Sequence, residues 1–357
     1  MSRVLVTGAA SGLGAALAQA FRARGDEVLA TDLTGEGGFE TGAERLPQPP
    51  DTPETPGSGR LPQPPETPGS GRLPQPPETP GSGRLPQPPE TPGSGRLPQP
   101  PKTPVSGRLP QPPETPVSGR LPQPPETPVS ERLPQPPVGA TPSSTAKLDV
   151  TSDEDWAAAR AWVEEHWGGL DVLVNNAGVA GGGRIDVAGL DEWQWIVDIN
   201  LLGVVRGCRT FTPLFKRQRS GRIVNVASLA GLVHPAGMAS YNAVKAGVVA
   251  LTETLGHELA SYGVRTSVVC PSYFRTNLMS SVRGNDEALG AVVTALVESS
   301  PFTADDIAAA VLAGIDADDE LILPDPAARA AYDLKLRDRA AYDAQMRHQA
   351  ERLDELR

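Results

Sequence analysis

A glycine-rich turn between an apolar strand and an apolar helix constrains the fold of this chain more than any other feature. The turn runs from Thr7 to Gly14, reads TGAASGLG, and follows a short strand-like segment at residues 3–6. Gly8 permits the tight turn, Gly12 lets the backbone approach a pyrophosphate, and Gly14 allows the helix to pack closely on the strand. The sequence therefore predicts a strand–turn–helix unit whose helix N-terminus can receive a phosphate.

Strands and helices alternate along the rest of the chain. Strands are predicted at residues 3–6, 27–31, 147–150, 171–174, 222–226, 264–270 and 320–323. Helices are predicted at residues 13–24, 153–166, within 190–217, at 238–261 and at 305–316. Apolar strands separated by helices indicate an α/β fold, namely a doubly wound parallel sheet (Rossmann fold) of strand order 3-2-1-4-5-6-7.

A proline-rich repeat interrupts this pattern. The unit RLPQPPETPGSG recurs with a period of 12 residues, and each unit contains one leucine and four prolines. So little apolar surface cannot offset the entropy of ordering the chain, which predicts disordered polyproline II segments. We expect a single Rossmann domain at residues 1–32 and 147–325, and a low-complexity insertion at 33–146 in place of the usual crossover helix. Residues 326–357 are predicted to form a charged helix, either packed on a neighbouring subunit or solvated.

Charge and composition restrict the partners. The net charge of -11 disfavours nucleic acid and anionic membranes as partners. No apolar run approaches the ~18 residues that a membrane-spanning helix needs. The two cysteines, Cys208 and Cys270, lie in apolar surroundings without metal-ligand spacing, so we expect reduced thiols, no metal and a cytoplasmic protein.

An aspartate ends the second predicted strand. Asp32 is placed to bind both hydroxyls of an adenosine ribose and to repel a 2′-phosphate. Neither Ser11 nor Leu33 supplies a basic group that would attract that phosphate. The pattern favours NAD over NADP as the cofactor, and a capping or turn aspartate is the alternative interpretation.

A tyrosine and a lysine four residues apart are the candidate chemical groups. Tyr241 and Lys245 share one face of a predicted helix. A nearby ammonium favours the phenolate and would lower the tyrosine pKa from its ordinary value of about 10. Ser228 follows the preceding strand, at the edge of the sheet where doubly wound folds bind ligands.

The motifs TGAASGLG, NNAG, NVAS and YNAVK, in this order, resemble those of the short-chain dehydrogenase/reductase family. The resemblance covers nearly all of the predicted Rossmann domain. It implies that Tyr241 exchanges a proton with the substrate oxygen, while Lys245 lowers the tyrosine pKa and binds the nicotinamide ribose. It further implies that Ser228 hydrogen-bonds the substrate oxygen and that Asn200 supports a proton-relay water, which completes a catalytic set of four residues.

The resemblance also implies a set of cofactor contacts. Asp149 and Val150 match the pair that contacts adenine, and three residues after the sixth strand match positions that hold the carboxamide: Pro271, Phe274 and Thr276. The family's usual Pro-Gly is replaced here by Pro-Ser, and Ser272 allows the turn fewer backbone conformations than glycine would. The complete predicted cofactor site, which includes no metal, consists of Gly8, Ser11, Gly12, Leu13, Gly14, Asp32, Asp149, Val150, Asn176, Ala177, Gly178, Tyr241, Lys245, Pro271, Phe274 and Thr276.

The leading interpretation is an NAD(H)-dependent oxidoreductase that interconverts a secondary alcohol and a ketone. The segment at 277–301 is expected to cover the substrate, and its residues favour an apolar one: Met279, Val282, Leu289, Val292, Val293 and Leu296. The resemblance implies a homodimer or homotetramer formed through the helices at 191–217 and 238–261. Two alternatives stay open: an NADPH-dependent 3-ketoacyl-type reductase, and a cofactor-binding scaffold or sensor whose repeats recruit a partner.

Overall fold

A computed structural model describes residues 1–33, 144–281, 283 and 286–355. The predicted insertion and its missing crossover helix therefore lie outside the described residues, apart from the two ends of the segment. At one of these ends, residues 145 and 146 belong to a strand rather than to the insertion. The strand predicted at 147–150 was thus placed too late in the sequence.

Among the described residues, seven strands form one parallel sheet. They are β1 (Arg3–Thr7), β2 (Glu27–Asp32), β3 (Thr145–Lys147), β4 (Val172–Asn175), β5 (Gly221–Val226), β6 (Val264–Val269) and β7 (Leu321–Ile322). Their order is β3-β2-β1-β4-β5-β6-β7, and every neighbouring pair is parallel. This confirms the predicted doubly wound α/β fold, whose strand order reverses between β1 and β4, the point where such sheets bind ligands.

The helices of the described residues cover the sheet and extend beyond it. They are α1 (Gly12–Ala23), α2 (Asp153–Trp167), α3 (Leu190–Val197), α4 (Gly203–Gln218), α5 (Ala230–Val233), α6 (Ala239–Leu259), α7 (Glu287–Glu298), α8 (Ala304–Asp316), α9 (Pro326–Arg337) and α10 (Arg339–Asp354). A π-helical turn, Asp198–Leu202, joins α3 to α4. None of these helices is long and apolar enough to cross a membrane.

Two apolar layers pack on the two faces of the sheet. Val4 and Val6 of β1 join the layer beneath α1 and α8. Leu5, which points to the opposite face, joins Trp156 of α2 and Phe211 of α4. These two rings meet edge to face at 6.4 Å. Alternate residues of one strand are thus buried on both sides, as expected for a central parallel strand.

The C-terminal segment forms two helices instead of the one predicted. Asp338 ends α9 and caps α10, because its side chain accepts a hydrogen bond of 2.9 Å from the Ala341 amide. The pair packs on this chain itself: the Tyr342 hydroxyl donates to the Val233 carbonyl, and Tyr342 is buried in the core. The sequence analysis did not anticipate this arrangement, which brings α10 to the carboxyl side of the sheet.

Candidate active site

The turn between β1 and α1 has a geometry that only glycine satisfies. Gly8 and Gly12 have φ values of +67° and +54°, in the left-handed region that favours glycine. A Cβ on Gly8 would lie 2.7 Å from the Ala177 Cα, and one on Gly14 would lie 2.0 Å from the Gly8 carbonyl oxygen. The backbone of the turn is therefore held tightly against both α1 and the residues after β4.

The N-terminus of α1 is left open. Its N-cap, Ser11, makes no capping hydrogen bond, and the first turn of α1 contains no acidic residue. By contrast, α2 is capped by Ser152 and begins with the acidic run Asp153, Glu154 and Asp155. The first-turn amides and the positive helix end of α1 are thus available to an anion such as a pyrophosphate.

The Asn-Asn-Ala-Gly segment fastens the end of β4 to this turn. The Thr7 hydroxyl accepts hydrogen bonds of 3.0 Å from the amides of both Asn176 and Ala177. The Asn176 side-chain amide donates to the carbonyls of Thr7, at 2.9 Å, and Gly8, at 3.2 Å. These contacts place the predicted cofactor residues Asn176, Ala177 and Gly178 beside the glycine turn.

Two acidic residues, one at the end of β2 and one after β3, border the groove. The Asp32 carboxylate accepts hydrogen bonds from the amides of Ala10, at 2.9 Å, and Leu33, at 2.7 Å. Asp149 accepts from the amide and the hydroxyl of Thr151, at 2.9 and 2.7 Å. Both carboxylates therefore have a structural role in their own loops and still line the groove.

Ser228, Tyr241 and Lys245 meet at the carboxyl end of β5. The Ser228 hydroxyl lies beside the Tyr241 phenol, where it acts to lower the phenol pKa, and it accepts a hydrogen bond of 3.1 Å from the Ala230 amide. The Lys245 ammonium donates to the Val226 carbonyl at 3.1 Å and lies 5.7 Å from the centre of the Tyr241 ring. Tyr241 is 9% exposed and Lys245 is 5% exposed, so the pair is almost fully removed from bulk water.

Burial controls the pKa values of this pair. It raises the pKa of Tyr241 to about 12, although the Ser228 hydroxyl acts in the opposite direction. It lowers the pKa of Lys245 to about 8. The pKa of Tyr241 is thus raised overall, because desolvation of the phenolate is the largest effect, and the lowering by Lys245 that the sequence implies stays a prediction.

Asn200 lies behind the site wall. It is fully buried in the π-helical turn between α3 and α4. Its side-chain oxygen accepts from the Val179 amide at 2.8 Å, and its side-chain nitrogen donates to the Val179 carbonyl at 2.9 Å. A Cβ on Gly178 would come within 3.0 Å of the Asn200 oxygen and 3.7 Å of the Lys245 nitrogen. The absence of a side chain at Gly178 thus lets Asn200 approach Lys245.

One cavity of about 900 Å³ connects these elements. The predicted site residues that line it are Gly8, Ser11, Gly12, Leu13, Asp32, Asp149, Val150, Asn176, Ala177, Gly178, Ser228, Tyr241, Lys245, Pro271, Phe274 and Thr276. Gly14 and Asn200 stand outside this lining, since Gly14 packs under the turn and Asn200 lies behind Gly178. The sequence therefore predicted most of the wall, and the structure moves these two residues into supporting positions.

The loop after β6 closes the groove opposite α1. The Thr276 hydroxyl faces Gly12 so closely that a Cβ on Gly12 would lie 2.7 Å from it. Ser272 was expected to constrain this loop, yet its φ is outside the left-handed region. Its amide and hydroxyl instead donate to the Asp325 carboxylate at 2.9 and 2.6 Å. The serine therefore anchors the loop to the start of α9 without backbone strain.

Comparison with known proteins agrees with this arrangement. A family model described as short chain dehydrogenase matches residues 134–287. Over these residues the chain is similar to the short-chain dehydrogenase/reductase family. A 3-oxoacyl-[acyl-carrier-protein] reductase from Synechocystis sp. is 40% identical over 113 residues, which are 32% of this chain and 46% of that protein. A trans-4-hydroxycyclohexanecarboxylate dehydrogenase from Sinomonas cyclohexanicum is 37% identical over 146 residues, 41% of this chain and 56% of that protein.

The chain thus spans about half the length of the relatives that it matches. A crystal structure of a family member from Burkholderia phymatum, in complex with NAD, superposes with a TM-score of 0.61. It is 22% identical and covers 94% of this chain and 93% of its own. At that identity the likeness concerns the fold.

The end of the cavity that α7 lines is largely apolar. Of the residues predicted to cover it, Leu289, Val293 and Leu296 line the cavity, while Val292 packs against the cluster behind. Val282 and the Met279 side chain lie outside the described residues.

The sequence pattern did not indicate two further residues of this wall, Met238 and Gln349. The apolar residues at helical spacing in the C-terminal segment signal that one face of α10 packs, but they do not single out Gln349.

Neither of the two cysteines lines the cavity. Cys208 and Cys270 are buried free thiols, and burial raises the pKa of each to about 12. Within the described ranges, no group of three or more histidine, cysteine, aspartate or glutamate side chains could hold a metal ion.

Proposed function

We propose that this protein is an NAD(H)-dependent oxidoreductase that interconverts a secondary alcohol and a ketone. The observation that carries the proposal is the meeting of Ser228, Tyr241 and Lys245 on the wall of one cavity that also reaches the glycine turn and Asp32. A volume of about 900 Å³ lies within the range of small-molecule and cofactor sites. The groups needed to handle one proton and to hold a dinucleotide are thus present in one continuous space.

The residues fit a nicotinamide dinucleotide. The open N-terminus of α1 suits its pyrophosphate, and the close approach of Thr276 to Gly12 leaves no room for a side chain in the groove. A dinucleotide held by these residues would supply the hydride chemistry, as hydride acceptor for alcohol oxidation and as hydride donor for ketone reduction. Asp32 supports NAD over NADP, since its carboxylate would repel a 2′-phosphate.

Tyr241 is the group that transfers the proton. In oxidation its phenolate oxygen takes the alcohol proton, and in reduction its phenol returns a proton to the carbonyl oxygen. Ser228 orients the substrate oxygen toward the phenol through a hydrogen bond. We expect the charge of Lys245 to stabilise the phenolate, since a nearby cation favours the charged form of an acid.

Tyr241→Phe tests the assignment most directly. We expect the substitution to abolish turnover of secondary alcohols, followed by NADH absorbance, while NAD binding measured by calorimetry stays within about threefold of wild type. Tyr262→Phe is the matched control, because Tyr262 does not line the cavity. The Lys216 ammonium lies over the Tyr262 ring, 4.7 Å from its centre. Full turnover in Tyr241→Phe would remove the basis of the proposal.

The cofactor preference has its own test. We expect kcat/KM to be higher with NAD than with NADP. Asp32→Asn should lower the ratio of these two kcat/KM values, because it removes the charge that repels a 2′-phosphate. A wild-type preference for NADP would contradict the NAD assignment and leave the proton chemistry untouched.

A second candidate is reduction of a 3-ketoacyl thioester with NADPH. It is favoured by the 40% identity to the 3-oxoacyl-[acyl-carrier-protein] reductase from Synechocystis sp. and by the apolar substrate wall. Asp32 argues against it. Comparing acetoacetyl-CoA with a secondary alcohol, each with both cofactors, separates the two functions.

A further inference from the structure

Helix α10 carries a polar residue within an apolar stripe. Tyr342, Met346, Gln349 and Leu353 are spaced by four, three and four residues, which places them on one helical face. Tyr342 is 4% exposed and Leu353 is 5% exposed, and Met346 packs against the main core. Gln349 is the one side chain of this stripe that bears an amide.

The stripe crosses the substrate end of the cavity at Gln349. Leu353, one turn further on, belongs to the buried cluster that contains Met238, Tyr241 and Leu289. Gln349 lines the same cavity as Ser228 and Tyr241. Among the described residues, no hydrogen bond uses the side-chain amide of Gln349, so its donor and its acceptor are both available to a ligand in the cavity.

The helix that presents Gln349 is firmly docked. Arg184 binds Asp286 through two side-chain hydrogen bonds of 2.8 Å and also donates to the Leu353 carbonyl at 3.0 Å. Asp286 in turn caps α7 by accepting from the Leu289 amide at 3.2 Å. One arginine therefore ties the end of α10 to the start of α7, the helix that forms the apolar wall. The position of Gln349 relative to that wall is set by these contacts.

The neighbouring polar groups are already engaged. Ser281 donates to the Leu278 carbonyl at 2.6 Å and accepts from the Ala180 amide at 3.0 Å. The Tyr273 hydroxyl is directed at the Met238 sulfur at 3.9 Å. Lys245, beside Tyr241, is the single cation among the described residues that line the cavity. A charged substrate group near Gln349 would therefore lack a counter-charge, whereas an uncharged group would not need one.

We propose that Gln349 is a substrate-recognition residue, which hydrogen-bonds an uncharged hydroxyl or carbonyl group of the substrate at the end away from the reacting carbon. The proposal rests on the alcohol–ketone chemistry proposed above. A polar amide in an apolar wall loses solvation when the substrate fills the cavity, and a matching group on the substrate restores its hydrogen bonds. The enzyme then prefers bifunctional substrates over pure hydrocarbons.

Three cyclic alcohols with NAD test this: cyclohexanol, cyclohexane-1,4-diol and 4-hydroxycyclohexanecarboxylate. After correction for its two equivalent hydroxyls, we expect the diol to exceed cyclohexanol in kcat/KM by roughly fivefold, the value of about one net hydrogen bond. The carboxylate should be the poorest of the three. In Gln349→Leu the diol preference should fall to about one, with cyclohexanol turnover retained.

The control is Gln345→Leu, the same change on an exposed residue one turn earlier in α10. It should keep the wild-type preference, and thermal unfolding of both variants checks that α10 stays docked. An unchanged preference in Gln349→Leu would overturn the role of Gln349 while leaving the alcohol chemistry in place. If the wild type bound NAD but turned over none of the three alcohols, the proposed reaction itself would fail, and the role of Gln349 with it.

Discussion

The contact between Ser272 and Asp325 is expected to contribute measurably to stability. Asp325 is 3% exposed, and its carboxylate accepts from the Ser272 amide, the Ser272 hydroxyl and the Ala328 amide at 2.9, 2.6 and 2.8 Å. The contact joins the loop after β6 to the first turn of α9. Ser272→Ala removes the shortest of these three hydrogen bonds and leaves the other two in place.

The magnitude follows from the charge of the acceptor. A hydrogen bond to a charged group contributes about 1.5–3 kcal/mol to the free energy of unfolding. For a folded unit of this size, each kcal/mol changes Tm by roughly 2–4 °C, so we expect Ser272→Ala to lower Tm by roughly 3–12 °C. Ser272→Gly, which restores the residue usual in the family, should be less stable still, because glycine adds about 0.5–1 kcal/mol of backbone entropy to the unfolded chain.

Urea unfolding followed by tryptophan fluorescence measures both variants. Ser299→Ala serves as the control, since the Ser299 hydroxyl is in an exposed position and lies 3.4 Å from its acceptor, the Leu296 carbonyl. It should change the free energy of unfolding by less than about 0.5 kcal/mol. If Ser272→Ala were as stable as this control, the contact with Asp325 would not be a source of stability and the reasoning would be wrong.

Two further predictions concern the glycine turn and the buried lysine. Gly14→Ala should destabilise the fold by about 1–3 kcal/mol and weaken NAD binding, because its Cβ would lie 2.0 Å from a carbonyl oxygen of the turn. The control is Gly290→Ala, whose Cβ would meet nothing within 4 Å, and it should raise the free energy of unfolding by up to about 1 kcal/mol. Urea unfolding and NAD titration measure both, and equal behaviour of the two variants would contradict the close packing. Burial lowers the pKa of Lys245 to about 8 from 10.5, so between these values the unfolded chain holds more protons than the folded one. Wild-type stability should therefore rise with pH across this window relative to Lys245→Met, and a flat difference would show that the lysine titrates normally.

The local features of the sequence determined the architecture. The alternation of apolar strands and helices predicted the parallel sheet and its strand order, because the hydrophobic periodicity of each segment depends on its own residues. The spacing of Tyr241 and Lys245 placed both on one face of α6 in the same way. The glycines of the turn were recognisable because each meets a local geometric need. Together with the other motifs, they account for the 16 predicted site residues that line the cavity.

Only the tertiary structure decided which of these groups support others and how their chemistry is tuned. Asn200 belongs to the predicted site by its place in the sequence, but packing puts it behind Gly178. The pKa of Tyr241 is raised rather than lowered, since burial depends on every element that packs around the phenol. Likewise, the C-terminal segment has the composition of a solvated charged helix, yet α10 packs along Tyr342 and Leu353. Which faces meet is a non-local outcome of the whole chain, and for this reason burial and the polar wall residue Gln349 emerged from the fold rather than from the sequence pattern.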